Sequence, residues 1–140
     1  MLIRPFEERD TDEVVALWQA SGLTRPWNDP HRDIMRKLGV QRELFLVGVD
    51  EVQVRVIGSV MGGYDGHRGW VNYLAVDPEA RGFGHGRMLM AEIERLLKAR
   101  GCPKVNLQVR NDNLAARAFY AAIGFELDET VSLGKRLIVE

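Results

Sequence analysis

Three glycines fall within five positions of the stretch EARGFGHGRMLMAEIE, residues 79–94, which then continues as an apolar helical pattern. Glycine weakens a helix, so Gly82, Gly84 and Gly86 at its start need a reason other than propensity. An anion supplies one. Unbonded N–H groups point out of a helix N-terminus, the dipole is positive there, and glycine lets a bulky group approach closely. Spacing separates the possible phosphate motifs. A G-x-G-x-x-G fingerprint needs its third glycine one residue later, and a P-loop ends in G-K-[ST], whereas Gly86 is followed by Arg87 and Met88. What stands is R-x-x-G-x-G, filled by Arg81, Gly84 and Gly86, behind a segment ending VDP.

The surrounding elements must hold this turn in place. LIRPF (2–6) reads as a strand that Pro5 puts at an edge or a strand end. Asp10 and Glu13 have capping-box spacing and open a helix with Val14, Leu17 and Trp18 on one face. SGLTRPWNDP (21–30) breaks that helix. Asp29-Pro30 begins a second, with Ile34 and Leu38 inward and Gly39 at its end. LFLVGV (44–49), VRVIGSVMGGY (54–64) and WVNYLAV (70–76) read as three strands, with DGHRG (65–69) as a hairpin tip. Leu89, Ile93, Leu96 and Leu97 mark the buried face of a helix from about Gly84 to Arg100, closed by Gly101.

KVNLQV (104–109) is the next strand, Asn113 to Ile123 a helix ended by Gly124, and FELDETVSLGKRLIV (125–139) a closing hairpin. The order β-α-α-β-β-β-α-β-α-β-β contains no linker, repeat or low-complexity segment. One helical crossover within residues 70–109 beside antiparallel neighbours gives an α+β single domain over residues 1–140. Its sheet is expected to be mixed, mostly antiparallel and twisted, with six to seven strands flanked by four helices.

Composition sets outer limits. The 140 residues are 46% apolar and 28% charged, globular values, and 19 basic against 20 acidic residues leave a net charge of −1. That excludes nucleic-acid or membrane-surface binding driven by bulk charge. There is no apolar run of membrane-spanning length and no signal-peptide core after Met1, so a cytoplasmic protein is expected. Cys102, the single cysteine, forms no internal disulfide and reads as a small buried residue. No Cys/His cluster has metal-ligand spacing, so no metal is expected.

The R-x-x-G-x-G turn at the head of a long amphipathic helix resembles the coenzyme A pyrophosphate loop of the GNAT (GCN5-related N-acetyltransferase) superfamily. A second segment strengthens the resemblance: NDNLAARAFYAAIGF (111–125) carries N-x-x-A-x-x-x-Y-x-x-x-G-F as Asn113, Ala116, Tyr120, Gly124 and Phe125. LQVRNDN is similar to the L-E-V-R-x-x-N run of the ribosomal-protein N-terminal acetyltransferases. RPWNDP, GGYDGHRG and SLGKRLI together resemble the bacterial YpeA-type members.

The resemblance implies acyl transfer from acetyl-CoA, as co-substrate, to an amine. Backbone amides of Gly82, Phe83, Gly84, His85, Gly86 and Arg87 are expected to cradle the pyrophosphate, with Arg81 adding a fixed charge. Amides near Leu74, Ala75 and Val76 are expected to hold the pantetheine arm and polarise the thioester carbonyl. Asn113 matches a cofactor-binding position, and is otherwise a helix N-cap. Tyr120 matches the general acid that protonates the leaving sulfur, which also makes it a cofactor-binding position, and is otherwise a core tyrosine. Gln108 stands where the ribosomal-protein enzymes carry a glutamate base, which weakens a peptide N-terminus reading.

Asp65 and His67 at the hairpin tip are then the base candidates, with Asp29 on the early helix pair and a water chain as further routes. Arg25, Trp27, Asn28, Tyr64, Arg68 and Tyr73 offer positive charge, flat apolar walls and an amide to a small acceptor bearing a carboxylate, such as an amino acid. The leading expectation is an N-acetyltransferase acting on a small-molecule amine, monomer or homodimer, with neither nucleic acid nor membrane as partner. A CoA-binding sensor without turnover and a protein or peptide N-acetyltransferase are the alternatives.

Overall fold

Val14, Val15, Leu17 and Trp18 recur at helical spacing and form the buried face of α1 (Thr11–Ala20) in the computed structural model, which describes residues 1–139. The chain divides into two units, Met1–Leu107 and Gln108–Glu140. The first holds β1 (Leu2–Pro5), α1, α2 (Pro30–Leu38), β2 (Phe45–Asp50), β3 (Arg55–Tyr64), β4 (Gly69–Val76), α3 (His85–Ala99) and β5 (Val105–Leu107). The second holds α4 (Leu114–Ala122). No helix of the described residues is long and apolar enough to cross a membrane.

The five strands lie in the order β1-β2-β3-β4-β5. Three pairings are antiparallel and the last, β4 with β5 across α3, is parallel, so the sheet is mixed and the fold α+β, as expected. Pro5 lies on edge strand β1, where its missing N–H costs no ladder bond. Neighbouring residues of β3 face opposite ways. Ser59 meets Trp18 of α1, whereas a Cβ on Gly58 or Gly62 would come within 2.8 or 2.7 Å of Leu89 or Ile93 of α3. The α1 side is filled by Phe6, Trp18, Ile34, Phe45, Val47 and Met61, with Phe6 and Phe45 stacked at 4.4 Å.

Two expectations are corrected. Among the described residues the sheet has five strands rather than six or seven, because residues 125–139 form no ladder and the strand expected over 104–109 shortens to Val105–Leu107. The second unit offers no sheet edge of its own, and a lone hairpin is marginal in water, here with Glu126, Asp128 and Glu129 in one arm. The capping box also shifts. Asp10 accepts from the Glu7 amide at 2.9 Å and from Arg4 at 2.7 and 2.9 Å, closing the short 3-10 turn Glu8–Asp10. Glu13 instead accepts from the Val56 amide of β3 at 3.0 Å. A charged fork outcompetes a neutral amide for the carboxylate.

Candidate active site

The site is built around an extra residue in β4. Met61 pairs with Asn72 and Ser59 with Ala75, so two steps on β3 oppose three on β4. Tyr73 sits in this bulge at φ +53°. A non-glycine residue there costs roughly 1–3 kcal/mol and needs outside support. That support comes from several directions. The Tyr73 ring stacks on Trp18 at 3.7 Å and 12°. The Tyr73 carbonyl accepts from Ser59 Oγ at 2.8 Å, and Ser59 in turn accepts from Trp18 Nε1 at 2.9 Å, both residues being 0% exposed. The Tyr73 hydroxyl donates to Asp33 Oδ2 of α2 at 2.5 Å and accepts from Asn28 Nδ2 at 3.1 Å. Asn28 Nδ2 also donates to Asp33 Oδ2, and Arg36 meets Asp33 Oδ1 at 3.3 Å. A bulge re-aims a side chain, and here it points a phenol at a carboxylate.

The same strand has an open side. β5 pairs with Gly69, Trp70 and Val71 only, so beyond Val71 residues 72–76 of β4 have no β5 partner. Leu74, Ala75 and Val76 therefore lie on a stretch of strand edge within the first unit, and an extended ligand arm could pair with such an edge. The chain runs from there through the turn Pro78–Ala80 into the glycine segment. Arg81 is folded back, its Nε donating to the Val76 carbonyl at 3.2 Å.

Gly82 and Gly84 have φ of +88° and +80°, and an added Cβ at either would meet nothing within 4 Å. Backbone conformation, not crowding, demands these glycines. Gly84 is the N-cap of α3 and supplies no side-chain bond to the first turn, whereas Asp29 caps α2 and Asn113 caps α4 through their side chains. The first-turn amides of His85, Gly86 and Arg87 have no acceptor within their own helix. Phe83 is 73% exposed on this turn. Its ring lies 6.0 Å from that of His85, whose Nδ1 is buried without a bonded partner. An open, glycine-bent turn ahead of an uncapped helix fits a pyrophosphate.

The expected acceptor residues fall into two groups. Asn28 and Tyr73 come together, at the N-terminal end of α2. Tyr64, Asp65, His67 and Arg68 lie at the β3–β4 tip, toward the other end of α2, where Gln41 brackets the Tyr64 backbone at 2.8 and 2.9 Å. A helix of nine residues separates the two groups by about 13 Å. Asp65 Oδ1 accepts from the His67 and Arg68 amides, each at 2.7 Å. Those amides, Arg68 first, hold its carboxyl below the usual carboxylate range, which makes it a weak base. Arg25 Nη1 donates to the carbonyls of Gly22 and Thr24, closing a turn in which Arg25 bridges to Asn28 and Trp27 is 50% exposed. Asp29 accepts from the His31 amide at 2.9 Å.

In the second unit, Asn113 Oδ1 accepts from the Ala116 amide at 3.0 Å. Tyr120 lies edge-on to Phe119 and Phe125, and burial pushes its hydroxyl up to about 12. Gln108 donates to Ser132. Sequence reasoning missed Asp33, Ser59 and the partnership with Trp18. Ser59 carried a signal, being a lone hydroxyl inside the apolar run VIGSVM, where a buried polar group needs a partner. Asp33 looked like any acid in a first helical turn.

The acetyltransferase (GNAT) family pattern matches residues 9–125. An acetyltransferase of Yersinia enterocolitica is 51% identical over 140 residues, covering 100% of this chain and 98% of that protein. An acetyltransferase of Pectobacterium atrosepticum is 49% identical over 138 residues, covering 99% of this chain and 96% of that protein. Among solved structures, Ard1 from Thermoplasma volcanium superposes with a TM-score of 0.78 at 29% identity, covering 91% of this chain and 83% of that one.

Proposed function

Because this chain belongs to the GNAT acetyltransferase family, we propose that it moves an acetyl group from acetyl-CoA to a primary amine of a small molecule. The observation that carries this reading is the unpaired β4 edge leading into a glycine turn and an uncapped helix. When bound, acetyl-CoA supplies an activated acyl group. The chain's own residues do the rest. Amides of Gly82 to Arg87 bind the pyrophosphate, and Arg81 adds charge beside Val76. Amides along Leu74–Val76 orient the arm and stabilise charge developing on the thioester oxygen. Asn113 supports the cofactor side. Tyr120, a phenol and so protonated at neutral pH, is the proton donor to the departing sulfur.

The family match runs across both units, which supports their acting as one acetyltransferase domain. A small acceptor is favoured over a peptide by the compact Asn28–Asp33–Tyr73 cluster beside β4 and by Gln108 in place of a glutamate. Trp27 and Arg25 border that cluster, and Tyr64, Asp65, His67 and Arg68 form an outer rim for a larger acceptor.

A CoA-binding module without turnover is the second reading. What favours it is the low basicity of Asp65. Thiol release from acetyl-CoA with a panel of amino acids, aliphatic amines and free N-terminal peptides separates these readings. Amine-dependent release with small acceptors is the expected result. Release only with peptides moves the acceptor class, and binding of acetyl-CoA without release by any amine leaves the sensor.

A further inference from the structure

One nitrogen in the α1–α2 turn occupies an unusual place. Asn28 Nδ2 donates to Asp33 Oδ2 and to the Tyr73 hydroxyl, 3.1 Å away, while Tyr73 donates to the same Asp33 oxygen at 2.5 Å. Carboxylate and phenol thus form two walls of a socket shaped for an N–H group that can donate twice. A primary ammonium has three donors and a full charge, and Asn28 offers only a neutral amide. A charge-assisted bond to a carboxylate is about twice as strong as a neutral one.

The socket is rigid on its inner side. Trp18 and Ser59 lock Tyr73 in the bulge, and Arg36 takes the other Asp33 oxygen. Its outer side is a turn, closed by the Arg25–Asn28 bridge and half-buried. Tyr73 immediately precedes the edge residues Leu74–Val76.

We propose that Asp33 and Tyr73 are the ammonium subsite of the acceptor, and that the Asn28 side chain is a plug which the acceptor's ammonium displaces. The acceptor class is then a primary amine that arrives protonated, not an alcohol or a carboxylic acid. This rests on the amine-acceptor reading above and deepens it. Tyr73 and Asp33 contact the substrate nitrogen. Asn28 is a positioning residue that keeps the two aligned when no acceptor is present.

The proposal makes predictions of opposite sign for neighbours in one hydrogen-bonded cluster, which a merely structural role would not. Binding of 1,4-diaminobutane is titrated calorimetrically, with 1,4-butanediol as the uncharged control, and thermal melts confirm folding of each variant. Asp33→Asn and Tyr73→Phe should each weaken diamine binding by about tenfold or more, a loss of about 1.4 kcal/mol per tenfold. Asn28→Ala should tighten it by about threefold or more, and Asn28→Ser repeats the test with a residue that keeps turn chemistry.

Affinity for acetyl-CoA should not move in any of them, and the diol should not bind. The proposal is overturned if wild type does not bind the diamine, if removing Asn28 weakens binding as removing Asp33 does, or if none of the substitutions matters. Thiol release is measured separately on the same samples. The opposite-sign pattern without release by any amine upholds the subsite and defeats the transferase reading. Release by wild type with diamine binding indifferent to Asp33 and Tyr73 does the reverse.

Discussion

Replacing Ser59 by alanine should be far more damaging than the loss of one hydroxyl suggests. Ser59 is 0% exposed and stands between two partners, accepting from Trp18 Nε1 at 2.9 Å and donating to the Tyr73 carbonyl at 2.8 Å. Alanine leaves the indole N–H, on a residue that is itself 0% exposed, without an acceptor. An unsatisfied buried donor costs about 1–3 kcal/mol. The Tyr73 carbonyl loses a further bond of about 1 kcal/mol. The expected destabilisation is about 2–4 kcal/mol, read as a fall in Tm of roughly 6–14 °C for a chain of this size.

The loss also has a functional side. Tyr73 keeps its φ of +53° only while its surroundings enforce it. Ser59→Ala should therefore reduce amine-dependent turnover at temperatures where the protein remains folded. Urea unfolding of Ser59→Ala, Trp18→Phe and the double variant completes the test. Removing both partners together leaves no orphaned indole N–H, and only the Tyr73 carbonyl still lacks its Ser59 donor, so the double variant should cost about 1–2 kcal/mol less than the sum of the singles. A Ser59→Ala cost below about 0.5 kcal/mol, or strict additivity, would refute the reasoning.

Further outcomes follow from other parts of the molecule. Burial raises the Asp10 carboxyl, but Arg4 and the Glu7 amide outweigh it and hold Asp10 below the usual range. With the folded pKa depressed, its contribution is complete above the unfolded value near 4 and is lost as pH falls through the folded value. Urea unfolding should show Asp10→Asn less stable than wild type by about 2–3 kcal/mol at pH 7, the gap narrowing as pH falls below the ordinary carboxylate range. Gly62→Ala places a Cβ 2.7 Å from Ile93, which is 0% exposed, and should cost about 1–3 kcal/mol in the same assay. Gly48→Ala meets only the adaptable thioether of Met1 and should cost less. Tyr120→Phe should lower kcat about 100-fold or more in steady-state assays while leaving acetyl-CoA affinity within about twofold.

The parts of this account that were legible in the sequence are those set by local chemistry. Gly82 and Gly84 announce a turn with positive φ, Asp29-Pro30 announces a helix start, and period-two runs announce β2, β3 and β4. Contacts between distant elements left weaker traces. Tyr73 was visible as a tyrosine on a strand, but the bulge that turns it toward Asp33 depends on the register of β3 against β4, which neither strand encodes alone. Asp10 had the spacing of a helix cap, and Arg4, on another element, claimed it. Alternation in residues 125–139 said which side chains could share a face, but not whether an edge exists to pair with. Asp33 could not be told from an ordinary first-turn acid until α2 lay against β4.

The central claim is that the glycine turn before α3 holds the pyrophosphate of coenzyme A. Calorimetric titration of acetyl-CoA into wild type and a Gly84→Glu/Gly86→Glu double variant tests it most directly, with thermal melts confirming that both fold. Saturable one-to-one binding by wild type, weakened about 100-fold or more when carboxylates face the phosphates, is the predicted result, about 2.7 kcal/mol by the tenfold rule. Folded wild type that does not bind acetyl-CoA, or a folded variant that binds it as tightly as wild type, would contradict the claim.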